Sequence, residues 1–144
     1  MTYFVLEPEV AGDFGPGTTG DLRARPPQVQ KFNYEFDTWP YDPLLEALGT
    51  FIVTDRLRQR LIEAHATGVA FGDVEVTKSG LYLDLYGDRP LPALSWLQIT
   101  GRAGEDDFAL SSSGHLMISE RMMNLLKEFE LKYCDVSEYD PKEN

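Results

Sequence analysis

Short stretches of alternating hydrophobicity, separated by glycine and proline, limit the folds open to this 144-residue chain. In residues 31–37 (KFNYEFD), three aromatic side chains alternate with polar ones. Because successive side chains of a strand point to opposite faces, this pattern predicts a half-buried strand. The stretch 81–87 (LYLDLYG) fits either a strand or a single helical turn. Further strands are predicted at residues 2–6, 51–53, 69–78, 94–100, 115–119 and 131–139.

Two segments carry the signals of longer helices. Thr54 precedes a helix predicted to run to about residue 66, with Leu57, Leu61 and Ile62 facing inward and arginines outward. Ser119 precedes a second helix, whose apolar side chains recur at helical spacing: Met122, Leu125, Leu126 and Phe129. A shorter helix is predicted from Asp42, as its N-cap, to Gly49.

Strands and helices mix here without the regular strand–helix alternation that a parallel sheet requires. We therefore predict a single α+β domain over residues 1–139, with two principal helices packed on one mainly antiparallel sheet. The glycine-rich residues 11–21 predict a flexible loop after the first strand. Residues 140–144 are predicted to form an acidic C-terminal tail.

The charge of the chain is strongly acidic, with 24 acidic and 13 basic side chains and a net charge of −11. Such a surface repels nucleic acids and anionic membranes, and it favours a cationic partner. No apolar run reaches the roughly 18 residues of a transmembrane helix, and the first residues lack the basic start of a signal peptide. Because Cys134 is the single cysteine, disulfides and cysteine-based zinc sites are excluded. These observations predict a cytoplasmic protein.

Candidate catalytic groups are few. His65 lies late in the arginine-rich helix and His115 follows a serine-rich turn, so neither is expected to be catalytic. The glycines of residues 11–21 have neither the spacing nor the lysine of a phosphate-binding loop. We therefore predict no catalytic residue, no metal and no cofactor. The alternative is a small enzyme or ligand-binding domain with a carboxylate site, because any acidic protein supplies candidate carboxylate pairs.

The glycine-framed residues 101–108 (GRAGEDDF) place three adjacent acids beside an aromatic side chain. Adjacent acids do not match the alternating oxygen ligands of a calcium loop. Two roles are open for Asp106 and Asp107: they face a partner, or they accept backbone hydrogen bonds that hold the turn. Two roles are also open for Phe108, which either turns inward or anchors a partner.

Acidic and aromatic residues also mix in residues 35–42 (EFDTWPYD) and 81–88 (LYLDLYGD). Tyrosine and tryptophan are common anchors of protein interfaces, and carboxylates complement a basic partner. Local packing of strand and turn residues would produce the same pattern. Taken as an interface, the three stretches predict these partner contacts: Glu105, Asp106, Asp107, Phe108, Trp39, Tyr41, Tyr82 and Tyr86.

Short motifs follow one another along nearly the whole chain. They are LEPEVAG (6–12), YEFD (34–37) with Trp39, FIVT (51–54), DVEV (73–76), WL (96–97), GRAGEDDF (101–108) and ISE (118–120). In this order they resemble domain-of-unknown-function family 1629, also called immunity protein 43, a family of small bacterial proteins similar to antidotes encoded beside polymorphic toxins. The resemblance implies binding rather than catalysis, and it carries over no catalytic residue.

The resemblance and the charge together predict an immunity protein that binds and neutralises a cognate bacterial toxin. A nuclease is the toxin class that fits the charge best, because an enzyme that grips phosphates must be basic. Acids on the immunity protein would then stand where the phosphates of the nucleic acid stand. Direct binding to nucleic acid or membrane is not expected, and the oligomeric state stays open.

Overall fold

The computed structural model describes residues 1–141, so residues 142–144 of the predicted acidic tail lie outside the described part. Thirteen strands and three helices follow one another along residues 1–141. The helices are α1 (Asp55–Glu63), α2 (Gly80–Tyr86) and α3 (Glu120–Leu126). The strands are β1 (Tyr3–Glu7), β2 (Gly12–Phe14), β3 (Thr19–Asp21), β4 (Gln28–Lys31), β5 (Asn33–Phe36), β6 (Leu44–Ala47), β7 (Thr50–Thr54), β8 (Val69–Gly72), β9 (Glu75–Lys78), β10 (Leu94–Ile99), β11 (Phe108–Leu110), β12 (Leu116–Ser119) and β13 (Asp135–Glu138).

These strands form four sheets within the described residues. A central sheet has the order β6-β7-β10-β8 and is antiparallel throughout. A second antiparallel sheet has the order β11-β12-β1-β13, so β13 is an edge strand. The third sheet, β2-β5-β9, is mixed, because β5 and β9 run parallel. The strands β3 and β4 form a separate two-stranded hairpin.

The central sheet separates two hydrophobic clusters, because neighbouring side chains of a strand point to opposite faces. Phe51 and Val53 of β7 belong to the first cluster, which also contains side chains of α1, α3 and β12. Ile52 lies between them in sequence and belongs to the second cluster, with aromatic side chains of β5 and with Tyr82 of α2. All three β7 side chains are buried. A strand buried on both faces has a continuous apolar run, which explains why this segment shows no alternation.

The prediction of a mixed α+β chain with mostly antiparallel strands is confirmed, and the chain forms one domain. The finer prediction of two helices on one sheet is not matched, because there are three helices and four sheets among the described residues. The ambiguous stretch 81–87 forms the additional helix, α2. Its N-cap is Ser79, whose Oγ accepts a hydrogen bond from Tyr82 N at 3.2 Å.

Both predicted caps of the longer helices are confirmed. Thr54 Oγ1 accepts a hydrogen bond from Leu57 N at 3.4 Å, and Ser119 Oγ accepts one from Met122 N at 3.3 Å. α1 ends at Glu63, earlier than predicted, and His65 follows it with a left-handed φ of 53°. Leu57 and Leu61 are buried as predicted, but the predicted inward position of Ile62 is wrong, because this residue is 50% exposed. The predicted inward face of the last helix is also confirmed, since Met122, Leu125 and Leu126 are buried. Phe129, the fourth predicted residue of this face, is buried too, but it lies beyond the end of α3 at Leu126.

The predicted helix after Asp42 is wrong. Leu44–Ala47 form the strand β6, which pairs with β7 across a two-residue turn. Both turn residues, Leu48 and Gly49, have the positive φ that such a tight hairpin requires, 46° and 77°. The carboxylate of Asp42 accepts hydrogen bonds from the backbone N–H groups of residues 132 and 133, at 2.7 and 2.8 Å. The carboxylate that was predicted to cap a helix therefore binds the backbone of a distant segment instead.

The glycine-rich residues 11–21 are anchored, contrary to the prediction of a flexible loop. They contain β2 and β3, and the buried side chain of Asn33 holds the segment between these strands. Asn33 Oδ1 accepts a hydrogen bond from Gly17 N at 3.1 Å, and Thr18 Oγ1 donates to Asn33 O at 2.9 Å. Glycine is needed at Gly15, because a Cβ there would lie 2.1 Å from Asn33 Oδ1.

Most other strand predictions are confirmed with shifted bounds. The predicted strand at 69–78 is two strands, β8 and β9, in different sheets. The predicted strand at 31–37 corresponds to β5 and the end of β4, and its aromatic side chains share the predicted buried face. The predicted strand at 131–139 contains the shorter β13. Within residues 1–141, no helix is long and apolar enough to cross a bilayer.

Candidate protein-binding surface

The acidic turn at residues 101–107 is held by hydrogen bonds within the chain. Asp107 is 7% exposed, and its carboxylate accepts hydrogen bonds from Ser119 Oγ at 2.8 Å, Thr67 N at 3.0 Å and Arg121 Nη2 at 2.5 Å. Arg121 also donates to the carbonyl groups that follow α1. Burial by itself would raise the pKa of Asp107, but these hydrogen bonds outweigh it and hold the pKa below its ordinary value. Asp107 therefore joins three separate segments of the fold.

The neighbouring residues of the turn also have structural roles. Asp106 Oδ2 accepts a hydrogen bond from Arg102 N at 2.8 Å, and the Asp106 carbonyl oxygen accepts one from Tyr3 Oη at 2.7 Å. Phe108 is buried in the first cluster, and Glu105 stays exposed. The prediction that Asp107 and Phe108 contact a partner is therefore corrected: one holds the fold together and the other fills its core.

The glycine that opens this turn is required by close packing of two backbone segments. A Cβ on Gly101 would lie 2.1 Å from Phe108 O, and a Cβ on Gly68 would lie 2.3 Å from the same oxygen. Gly68 also has a positive φ of 81°. The glycine frame of the acidic stretch thus serves the fold rather than a ligand.

The predicted aromatic contacts differ in exposure. Tyr82 is fully buried, and its hydroxyl donates to Arg89 O at 2.8 Å. Its assignment as a partner contact is therefore corrected, because its ring belongs to the second cluster. Trp39 and Tyr86 are half-buried, whereas Tyr41 is 54% exposed. Three of the five predicted aromatic contacts thus remain on the surface, whereas Tyr82 and Phe108 are buried.

Tyr41 belongs to a row of rings that was only partly expected from the sequence. Its ring centroid lies 5.7 Å from that of Trp39 and 5.5 Å from that of Tyr133. Tyr133 is 56% exposed and was not among the predicted contacts. The guanidinium of Arg89 lies 3.9 Å from the centroid of the Trp39 ring. We term Trp39, Tyr41 and Tyr133 the aromatic row.

Two buried carboxylates fix the backbone beneath the aromatic row. Glu9 Oε1 accepts hydrogen bonds from Tyr41 N at 3.0 Å and Asp42 N at 2.8 Å. Asp42 in turn accepts from Lys132 N and Tyr133 N. Burial raises the pKa of Glu9, and the hydrogen bonds from Asp42 N and Tyr41 N oppose that rise. Because these contacts order the backbone in advance, less entropy is lost when a partner binds.

A cavity of about 400 Å³, which we term the aromatic groove, opens beside the row. Val10 stands at this cavity with 66% of its surface exposed, although it is apolar. Tyr86, the last residue of α2, also lines it. The complete lining is Glu9, Val10, Thr38, Tyr41, Tyr86 and Tyr133.

A second cavity, of about 460 Å³, runs along β1 and β13, and we term it the acidic groove. No lysine or arginine lines it among the described residues, and four carboxylates do: Glu7, Asp135, Glu138 and Asp140. Glu9 and Val10 follow closely after Glu7, and Tyr133 closely precedes Asp135, so the same two chain segments line both grooves. We term the two grooves and the aromatic row together the β13 surface.

His115 lies in a cluster that its position in the sequence did not predict. Ser113 Oγ lies 3.2 Å from His115 Nδ1, and His115 Nε2 lies 3.7 Å from Glu7 Oε1. A Ser–His–acid triad needs the acid hydrogen-bonded to the ring, and 3.7 Å is too long for that bond. The His115 side chain is also 48% exposed to water. His115 N donates to Ser111 Oγ at 3.0 Å, so the cluster mainly holds the turn before β12.

Cys134 has a packing role. It is partly buried against the first cluster. Burial raises the pKa of its thiol to about 12. Since the thiolate is the reactive form, Cys134 is unsuited to nucleophilic catalysis near neutral pH. Among residues 1–141, no group of three or more His, Cys, Asp or Glu side chains is placed to hold a metal ion.

No protein-family model matches this chain, and no curated protein matches it. The geometry of the β13 surface, the charge of the chain and the resemblance in its motifs are therefore the basis for a functional proposal.

Proposed function

We propose that this protein is a cytoplasmic immunity protein that binds a basic bacterial toxin through the β13 surface and neutralises it. The observation that carries the proposal is an aromatic row with two exposed tyrosines, Tyr41 and Tyr133, beside a carboxylate-lined groove, on a chain of net charge −11. Contiguous exposed apolar surface marks interaction sites, and aromatic side chains are typical interface anchors. The resemblance to immunity protein 43 supplies the class of partner.

The aromatic row and the acidic groove have different roles in binding. The aromatic row provides a large contact area, and little side-chain entropy is lost because its rings are already in place. The carboxylates of the acidic groove attract a cationic toxin and speed its encounter with the immunity protein. A nuclease carries a suitable basic surface where it grips the phosphates of its substrate. In the complex, Asp135 and Glu138 would stand in place of those phosphates.

The test pairs this protein with the toxin domain encoded beside its gene. We expect a neighbouring gene for a large secreted protein that ends in a toxin domain. Co-expression should rescue cells from that domain, and the two purified proteins should form a complex. A metabolic operon around the gene, with no complex and no rescue, would overturn the immunity function.

The contribution of the aromatic row is tested in the same rescue assay. The double variant Tyr41→Ala/Tyr133→Ala should fail to rescue. Ile62→Ala is the matched control, because Ile62 is 50% exposed on α1, which contributes no residue to the aromatic groove. Full rescue by the double variant would exclude the aromatic row as the binding site.

The acidic groove also supports the alternative function, a small enzyme or ligand-binding domain with a carboxylate site. His115 beside Glu7 is the observation that favours it. In that case a small cationic ligand would bind in the groove, and Glu7→Gln would abolish its binding. Tyr41→Ala would leave the binding intact, which distinguishes this alternative from the immunity function.

A further inference from the structure

The strand β13 forms an open edge of the second sheet. All of its residues, Asp135–Glu138, are exposed, and within residues 1–141 no further strand pairs with it on the side away from β1. The other edge of this sheet, β11, is closed, because Phe108 N donates to Thr67 O at 3.1 Å. An edge strand presents unpaired backbone N–H and C=O groups, which can pair with another chain. β13 is therefore the edge of this sheet that another strand can reach.

The hydrogen bonds between β1 and the end of the chain define which backbone groups of β13 point to the open edge. Tyr3 O accepts a hydrogen bond from Tyr139 N at 2.9 Å. Because hydrogen-bonded pairs alternate along an antiparallel ladder, the backbone of Ser137 also faces β1. The backbone groups of Val136 and Glu138 therefore point away from β1. Their N–H and carbonyl groups are placed to pair with an added strand.

The charge beside this edge indicates which kind of strand it takes. Glu7 lies directly opposite Asp135 in the register of β1 and β13, so two carboxylates share one face of the sheet. Like charges in such a position destabilise a pair of strands, and a cation beside them offsets the repulsion. The described residues that line the adjacent acidic groove include no lysine or arginine. A basic strand is therefore favoured, whereas a second copy of this acidic edge is repelled.

The other face of β13 carries an apolar side chain. Val136 lies opposite Leu6, which is buried in the first cluster, and Val136 itself is 45% exposed. An apolar side chain opposite Val136 on an added strand would cover it and continue this face of the sheet. The strand that fits the edge therefore alternates basic residues on the face of Glu7 with apolar residues on the face of Val136.

We propose that the toxin adds an extended basic segment to β13, as a fifth strand of the second sheet. This inference rests on the proposed function for the identity of the partner, and it adds the mode of binding. In strand addition, backbone hydrogen bonds supply affinity and alternate side chains supply specificity. The aromatic row, which includes Tyr133 just before β13, would then contact another part of the toxin.

A synthetic peptide that alternates lysine and valine, Lys-Val-Lys-Val-Lys-Val, tests this edge without the toxin. Amide hydrogen exchange followed by NMR should become several-fold slower at Val136 N and Glu138 N when the peptide binds, because both groups gain a hydrogen-bond acceptor. Exchange at Ser137 N should change little, because this group already faces β1. Absence of binding, or binding that leaves Val136 N and Glu138 N exchanging as before, would overturn strand addition.

Methylated peptides and a proline variant test the backbone contact itself. In an added strand the amides of alternate residues face β13, so N-methylation of the valines or of the lysines, but not of both, should abolish binding. Equal effects of the two methylations would overturn the inference. Val136→Pro removes an N–H from the open side of an edge strand, where proline is tolerated, and should weaken peptide binding about tenfold or more. Val136→Ala keeps the N–H and is the matched control, and circular dichroism checks the fold of both.

The same exchange measurement on the toxin complex separates this inference from the proposed function. A toxin domain that is bound and neutralised without slower exchange at Val136 N and Glu138 N would leave the immunity function in place and overturn strand addition. A lysine–valine peptide that adds to β13, with no complex and no rescue for the toxin domain, would support strand addition by a basic segment and overturn the immunity function.

Discussion

The turn at residues 101–107 and the β13 surface contain the same residue types but use them in opposite ways. In the turn, the carboxylate of Asp107 is buried and accepts hydrogen bonds from within the chain, and the adjacent ring of Phe108 packs in the core. At the β13 surface, the carboxylate of Asp42 is also buried and accepts a hydrogen bond from the backbone N–H of Tyr133, yet the ring of Tyr133 is exposed. In both places the carboxylate orders the backbone, and only in the second does an aromatic side chain reach solvent.

This difference shows how an acidic and aromatic stretch becomes a binding surface. A carboxylate that accepts backbone hydrogen bonds has little left to offer a partner, but it can hold a neighbouring ring in place. Carboxylates that attract a partner must then come from elsewhere, and at the β13 surface they line the acidic groove. The density of acids along the sequence is therefore a poor guide to the site.

The largest effect should follow from removing the anchors of the β13 surface. Tyr41→Ala/Tyr133→Ala should cost roughly 4 kcal/mol of toxin affinity, about a thousandfold in Kd, because both rings lie at the centre of the proposed contact. Titration calorimetry with the toxin domain measures this loss. Glu105→Ala, in the turn, is the control and should bind like the wild type. A loss of affinity in Glu105→Ala, with none in the double tyrosine variant, would show that the toxin binds at the turn instead.

A smaller effect, on stability rather than binding, should follow from Asp107→Ala. The substitution leaves Ser119, Thr67 and Arg121 without their acceptor, and we expect a loss of about 3 kcal/mol in the free energy of unfolding. Urea denaturation measures it, with Glu105→Ala again as the exposed control. A variant that kept full stability but lost toxin binding would contradict the structural role of Asp107.

The pH dependence of stability offers a second test of Asp107. Its pKa is lowered in the folded protein, so the stabilisation is present above the unfolded value of about 3.9 and is lost as the pH falls through the folded pKa. Asp107→Asn should therefore flatten this part of the acid transition in urea denaturation at stepwise lower pH. An unchanged acid transition would show that the carboxylate is not stabilised as described.

Asp42→Ala should lower both the free energy of unfolding and the affinity for the toxin, because Asp42 connects the fold to the aromatic row. Its loss leaves two backbone N–H groups, at residues 132 and 133, without an acceptor, which costs about 2 kcal/mol of stability. The backbone of Tyr133 is then less ordered, so toxin affinity should fall as well. Denaturation and calorimetry on the same sample separate the two effects. A change in stability alone would indicate that Asp42 does not order the binding site.

The smallest effect is expected from the exposed charges of the acidic groove. Asp135→Asn/Glu138→Gln should lower the association rate with the toxin several-fold and reduce its dependence on salt. The dissociation rate should change little, because rim charges mainly affect encounter. Stopped-flow or surface plasmon resonance measurements at two salt concentrations give both rates. An unchanged association rate would show that the acidic groove does not attract the toxin electrostatically.

Local signals in the sequence were sufficient for some elements and not for others. The caps at Thr54 and Ser119 were predictable because a cap involves residues within one turn of a helix. β6 was mistaken for a helix because the carboxylate of Asp42 is taken by residues about 90 positions away. No local pattern records such a contact.

The surface of α2 shows a different limit. Its leucines alternate in sequence, which suggests one buried face of a strand. In the helix that forms, alternating positions cannot share a face, so Tyr82 is buried and Leu81, Leu83 and Leu85 stay exposed. The aromatic row was missed in part for a related reason, since Tyr133 joins Trp39 and Tyr41 only in the folded chain.

Amide hydrogen exchange of this protein, alone and saturated with the toxin domain, tests the central claim most directly. It compares the two regions in one experiment and requires no variant to fold. We predict added protection at residues 38–41 and 133–138, with residues 101–108 unchanged. Added protection at residues 101–108, with none along the β13 surface, would contradict the account.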